Sequence, residues 1–248
     1  MAKTLYDDEF YSRQIDQSLQ SAKIVAPLVM RLAKISSVID VGCGLGGWLR
    51  AFAENGVSRL RGIDGSYVDT SSLYMPAECF TPMNLAEPIK IDEHFDLALC
   101  LEVAEHLPSR SSTQLVRGLT DLAPIVLFSA AVPGQGGTGH VNEQWPEYWR
   151  NLFKERGFVM LDPIRPLVRE DHRVEWWYRQ NIVMFANAAA ISANPALGES
   201  LCNGKAVEWV HVDMLRRAGV RNLLSHLKPA LREAILKRIP LLNTGGRE

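Results

Sequence analysis

VIDVGCGLGGW, Val38 to Trp48, decides the fold: a β-branched strand runs straight into a glycine-rich turn and out into a helix. Glycines in such a turn let the main chain approach a ligand that any Cβ would push away, which predicts a nucleotide-like cofactor. Gly42, Gly44 and Gly47 also satisfy GxGxxG, so a dinucleotide stays open. Asp40 tips the balance, because a carboxylate just ahead of the first glycine repels a pyrophosphate and suits a cofactor with cationic groups. Asp64 ends the next apolar run about 20 residues on, the offset at which a carboxylate accepts hydrogen bonds from both hydroxyls of a ribose. That feature serves either cofactor.

Outward from this turn, short apolar runs alternate with amphipathic stretches from Ile35 to Ala186, the pattern of βαβ units. Strands are expected over 37–41, 59–63, 79–82, 95–100, 125–130, 157–161 and 180–186, with helices over 46–55, 111–122 and 144–156. Gly56 and Gly157 sit where two of those helices should stop. The fold class is α/β: a doubly wound, Rossmann-like, mainly parallel seven-stranded sheet with an N-terminal helix and a C-terminal helical extension. The N-terminal helix spans 16–32, with Pro27 as a candidate kink. Residues 1–190 form the main domain and 191–248 a linker and extension. Within that tail the Ala/Asn/Pro-rich stretch 187–197 reads as linker, and 210–239 as basic amphipathic helices that pack on the domain or on a second copy in a homodimer.

A chain of 248 residues, 47% apolar, suffices for one large core with a small appendage. A net charge of -1 lacks the electrostatic footprint of a protein that grips long nucleic acid. Cys43, Cys79, Cys100 and Cys202 form no CxxC pair and read as reduced thiols of a cytoplasmic protein. The opening MAKTLYDDEFYSRQ lacks the regions of a signal peptide, and no apolar run approaches a membrane span.

Four blocks, VIDVGCGLGGW, RGIDGS, FTPMNLAEPI and HFDLALCLEVAEHLP, stand in order between Val38 and Pro108. Through them the chain resembles the class I S-adenosylmethionine (SAM)-dependent methyltransferases. The resemblance implies that Asp40, Gly42, Cys43 and Gly44 face the methionine moiety, Asp64 the ribose, and Gly65 and Ser66 the adenosine edge. Asn84, where the family commonly has Asp, and Leu85 would flank the adenine, and Leu101 and Glu102 would lie over the cofactor at the sheet edge. The block SLQSAKIV also recurs in the family, which makes Ser18 or Ser21 a contact for the SAM carboxylate, or else a helix cap.

In CLEVAEHLP, Glu102, Glu105 and His106 stand at i, i+3 and i+4 and share one face if the strand winds directly into a helix. His140 follows the next strand and the loop PGQGGTGH, which a parallel sheet brings to the same crevice. This set of Glu102, Glu105, His106 and His140 resembles that of the methyltransferases that modify the terminal 2′-hydroxyl of small RNAs, and in part that of ubiquinone-pathway O-methyltransferases. It implies a divalent cation, Mg²⁺ or Mn²⁺, that lowers the pKa of a coordinated alcohol. In a metal-free alternative these residues order the loop, and His140, or else His106, is the general base.

Acceptor clues lie further on. GHVNEQWPEYWRNLFKERGF carries Trp145, Tyr148, Trp149, Leu152 and Phe153, part core and part pocket wall. RPLVREDHRVEWWYRQN gathers Arg165, Arg169, His172, Arg173, Trp176, Trp177 and Arg179. Indoles stack on a sugar ring while guanidinium forks grip phosphate or carboxylate. Both blocks resemble bacterial methyltransferases of glycan and surface-polysaccharide biosynthesis. The expected activity is O-methylation of a sugar, glycan precursor or related small molecule. The alternative is a metal-dependent 2′-O-methyltransferase acting on a terminal ribose of RNA, and a third reading is a non-catalytic SAM-binding regulator.

Overall fold

The computed structural model describes residues 8–200 and 210–214. Its strands are β1 (Ser37–Val41), β2 (Arg59–Asp64), β3 (Phe80–Pro82), β4 (Leu97–Leu101), β5 (Ile125–Ser129), β6 (Phe158–Leu161) and β7 (Val183–Asn187). They form one sheet in the order β3-β2-β1-β4-β5-β7-β6, parallel except that β7 runs antiparallel to both β5 and β6.

The central strands are buried on both faces, and their alternate residues enter different cores. Val38, Leu97, Leu99 and Leu127 join one layer with Ala22, Val25, Ala26 and Val29 of α1 (Asp8–Met30) and Leu49 and Phe52 of α2 (Gly47–Glu54). Ile39, Val41, Ala98, Cys100, Val126 and Phe128 join the other with α3 (Ser112–Leu122) and α4 (Pro146–Glu155). The buried side chains of α1 fall at i, i+3, i+4 and i+7, one helical stripe. Pro27 lies within its last turn.

Three expectations change. Gln180 and Asn181 are not strand but the end of α6 (Trp176–Asn181), which follows the short α5 (Arg165–Val168), and β7 starts only at Val183. The stretch expected as linker holds α7 (Ala188–Ala193), capped by Asn187 Oδ1 on the Ala190 amide at 2.9 Å, and α8 (Pro195–Gly198). Leu197 is fully buried there, so apolar burial overrides the breaker-rich composition. Glu102 leaves β4 at φ +55, which stops the strand from winding directly into a helix. Cys202 and the tail helices beyond residue 214 lie outside the described residues. Among the described residues, no helix is long and apolar enough to cross a membrane.

Strand order reverses between β1 and β4, which opens a crevice at their carboxyl ends. The glycine turn and the CLEVAEHLP segment both emerge into it.

Candidate active site

On the β1–β2 side the surface is main chain. Gly42 adopts φ +88 and donates its N–H to Ile63 O at 2.8 Å, and a Cβ there would lie 2.3 Å from Val103 Cγ2. Only glycine fits both that conformation and that approach. Gly44, at φ +51, donates its N–H to Asp64 Oδ2 at 2.8 Å. Asp64 Oδ1 accepts from the Gly65 amide at 2.6 Å and the Tyr67 hydroxyl at 2.5 Å. Asp40 is buried, and that burial, reinforced by the Asp64 charge, pushes its carboxyl up to about 7. The Cys43 thiol is likewise raised by burial and by both acids, and stays protonated.

Asp40, Gly42, Cys43, Gly44, Asp64 and Gly65 thus cluster at the ends of β1 and β2, with Leu101 at the end of β4 beside β1. Asn84 and Leu85 follow β3. Leu85 is buried, while Asn84 is exposed with its Oδ1 accepting from the Ala86 amide at 3.1 Å. Ser21 does not face this cluster as a free hydroxyl. It is fully buried, donates to Gln17 O at 2.9 Å and accepts from the Glu175 amide at 3.0 Å, so it ties α1 to the start of α6. Ser18 pairs with the Tyr178 hydroxyl at 2.9 Å.

On the β4–β5 side the surface is side chain. Glu105 and His106 sit in a single 3-10 turn, Ala104–His106, and one ligand atom from each of Glu105, His106 and His140 lies within 4.8 Å of the others. Glu102, expected as a fourth member, lies beside Glu105 but has both oxygens engaged by amides: Oε1 accepts from Asn181 Nδ2 at 3.0 Å and Oε2 from Gln135 Nε2 at 3.1 Å. Glu105 is fully buried, and its carboxyl has the Ala131 main chain and the Glu102 side chain close by. Burial, then the neighbouring Glu102 charge, raises its pKa well above the carboxylate range. The His106 and His140 rings meet edge-on at 4.9 Å between centroids. Partial desolvation at the solvent edge, then His140, lowers the pKa of His106.

Main chain brings His140 to this point. The amides of Val141 and Asn142 both donate to Glu105 O, at 2.8 and 3.0 Å. Asn142 Nδ2 reaches Ser112 Oγ at 3.0 Å, which ties the loop to α3. His140 Nδ1 donates to Glu143 Oε1 at 2.9 Å, and Glu143 also accepts from the amides of Gly134 and Gly136 at 2.8 Å each. Sequence reasoning missed Gln135, Asn142, Glu143, Gln180 and Asn181. Glu143 alone carried a signal, an acid three residues after the histidine it orients.

The arginine-rich block turns inward only in part. Arg165 is buried against Asp162 at 2.7 Å, Arg173 pairs with Asp171 at 2.6 Å, and Arg179 bonds Arg169 O at 3.1 Å and Asp213 at 3.2 Å. Trp149, Phe153 and Trp176 are core, whereas Trp145 is 39% exposed. The guanidinium grip on an anionic acceptor is therefore not presented by Arg165 or Arg179, whereas Arg169 and Arg173 stay at the surface with side chains 65% and 77% exposed.

Residues 11–129 match a family model described as a methyltransferase domain. No curated protein matches the chain. Among solved structures it is similar to magnesium protoporphyrin IX methyltransferase (ChlM) from Synechocystis PCC 6803 with bound SAM, at TM-score 0.52 and 20% identity, over 74% of this chain and 86% of that one. It is similar also to the methyltransferase domain of bacterial-CtHen1-C, at TM-score 0.51 and 17% identity over 69% and 98%. The CcbJ methyltransferase from Streptomyces caelestis gives TM-score 0.51 and 13% identity over 68% and 96%. At such identities the likeness is one of fold. The sheet order and these likenesses give the chain the fold of the class I SAM-dependent methyltransferases, and residues 11–129, which hold the glycine turn flanked by two acids, match a methyltransferase domain.

Proposed function

We propose that the protein transfers the SAM methyl group to a hydroxyl oxygen of a small hydroxylated acceptor, a sugar, glycan precursor or related compound. Glu105, His106 and His140 would hold a divalent cation beside it. The carrying observation is the cluster: one ligand atom from each of Glu105, His106 and His140 lies within 4.8 Å of the others, and the Glu105 carboxyl is fully buried among them. Two imidazoles with one carboxylate suit Mn²⁺, and Mg²⁺ less well. The cation supplies Lewis acidity that lowers the pKa of the accepting alcohol.

The chain's own residues do the rest. Because the Nδ1–H of His140 donates to Glu143, Nε2 is left as the atom that accepts a ligand or a proton. Asp40 and the turn Gly42–Gly44 receive the cationic end of SAM, Asp64 its ribose, and Asn84 with Leu85 its adenine. Gly65 and Leu101 line the space between. Val141 and Trp145, 67% and 39% exposed just after His140, offer apolar faces for a ring. The same Glu/His/His cluster also suits the paired hydroxyls of a terminal ribose, and salt-dependent binding of a short RNA would favour that reading.

Titration of Mn²⁺ into SAH-loaded protein tests the proposal. One ion per chain is expected, with at least tenfold weaker binding in Glu105→Gln and in His140→Ala while SAH affinity holds. Absence of Mn²⁺ binding by the unaltered protein overturns the metal. In methyl-transfer assays on a panel of sugars and other polyols, full activity in His140→Ala removes that residue from the mechanism.

A further inference from the structure

Residues 210–214 return to the crevice far beyond the family-matched segment. Met214 is 1% exposed in a cluster with Val132 and Trp176, and Asp213 pairs with Arg179 at 3.2 Å. The main-chain N–H of His211 donates to Gln180 Oε1 at 2.7 Å in a buried bond. A main-chain N–H can only donate, so it fixes which end of the Gln180 amide faces it. The amino end must then point inward.

There Gln180 Nε2 donates to Gln135 Oε1 and to Asn181 Oδ1, both at 3.1 Å. With their oxygens so engaged, those two amides turn their own amino groups onward. Asn181 Nδ2 reaches Glu102 Oε1 at 3.0 Å and Gln135 Nε2 reaches Glu102 Oε2 at 3.1 Å, one donor for each carboxylate oxygen. A flipped Gln180 would set oxygen against oxygen on the inside and donor against donor at His211. Gln180 and Asn181 are 1% and 5% exposed, so water cannot replace a broken link cheaply. Gln135 also stands between Gly134 and Gly136, whose amides hold the Glu143 carboxylate that orients His140.

We infer that residues 210–214 are a working part of the transfer site: the main chain of His211, through Gln180, sets a one-way relay of three amides that fixes Glu102 and the loop carrying His140. Gln180 is a positioning residue in this scheme. A mere tether would need only the Met214 slot and the Asp213–Arg179 pair; here the His211 amide also closes the outer end of a relay whose inner end is oriented by the accepting Glu102 carboxylate and by the Val132 amide on Gln135 Oε1. The inference rests on Glu105, His106 and His140 being the transfer centre, but its structural half is testable separately.

Two full-length variants test it: Gln180→Met, which keeps volume and removes the relay, and Met214→Asp, which undocks residues 210–214 without touching an amide. SAH affinity, Mn²⁺ affinity and amide hydrogen exchange are measured on each. In both variants, exchange over 131–144 is expected to rise at least tenfold together with that over 210–214. Residues 38–48 should stay protected, SAH should bind within twofold of wild type, and Mn²⁺ affinity should fall at least tenfold. Faster exchange in Met214→Asp confined to 210–214, or unchanged Mn²⁺ affinity in both variants, overturns the inference. If the unaltered protein takes no Mn²⁺, the metal reading fails, and the exchange data alone decide the relay. Should Met214→Asp not fold, Gln180→Met carries the same comparison.

Discussion

The two walls of the crevice are made of different material. On the β1–β2 wall the shape comes from main chain: Gly42 and Gly44 at positive φ, an Asp64 carboxylate caught by two main-chain amides, and a Val103 side chain lying where a Cβ would be. On the β4–β5 wall it comes from side chains: an imidazole held by Glu143 and a carboxylate held by two amides. A main-chain wall tolerates few residue types at each position, whereas a side-chain wall depends on partners far apart in sequence. The first should therefore fail abruptly under point substitution, and the second in graded steps.

Gly42→Ala should give the largest effect. A residue forced to φ +88 costs about 1–3 kcal/mol, before the displacement of Val103 is counted. The expected outcome is a lowered melting temperature and SAH affinity reduced at least a hundredfold. Adding Val103→Ala relieves the contact but not the backbone, so the double variant should recover only part of the loss. Wild-type SAH binding by Gly42→Ala would break the contrast between the walls.

Next comes pH. Asp40 rises from an ordinary 3.8 to about 7 in the folded protein, so the native state holds the proton more tightly than the unfolded chain. Its contribution to stability is complete below about pH 4 and is lost as pH rises through about 7. Glu102 and Glu105 on the other wall are also raised by burial and act with the same sign. SAM, which brings positive charge, favours ionised Asp40, so its affinity should climb as pH passes 7. Asp40→Asn should weaken SAM about tenfold and flatten that climb, while the fall of melting temperature with pH persists through the two glutamates. A pH-dependent SAM affinity unchanged in Asp40→Asn would assign the titration to the β4–β5 wall instead.

The same difference explains what was legible in the sequence. Six of the seven strands and three helices could be placed to within a residue or two, because β-branched runs and helical stripes are local patterns. The glycine turn was legible because positive φ writes itself as glycine. Gln180 and Asn181 were assigned to β7 because they precede an apolar run, and nothing local shows that the Asn181 amide meets Glu102, about 80 residues away in sequence, or that the Gln180 amide meets Gln135. Glu102 was placed with Glu105 and His106 on helical spacing, and its φ of +55, rare for a glutamate, defeated that reading. The arginines and tryptophans looked like an acceptor platform because charge and aromatic surface occur together there. The burial of Arg165 against Asp162 and of Trp176 against Val132 is tertiary information.

The smallest effect is the sharpest probe of the β1–β2 wall, since there the Tyr67 side chain reaches Asp64 beside two main-chain amides. Tyr67 is 75% exposed, yet its ring lies over Gly65, where a Cβ would come within 2.1 Å of it, and its hydroxyl holds Asp64 Oδ1. A carboxylate offers about four acceptor positions, and Gly44, Gly65 and Tyr67 occupy three of them. Two ribose hydroxyls then compete for what is left, and the Tyr67 hydroxyl is the one occupant not fixed by main chain. Tyr67→Phe removes the competitor, so SAH should bind a few-fold tighter, the equivalent of about 0.5–1 kcal/mol for one hydrogen bond. Weaker SAH binding would mean that the hydroxyl stays and meets the cofactor. The β1–β2 wall would then owe part of its shape to a side chain, and the contrast with its neighbour would be one of degree.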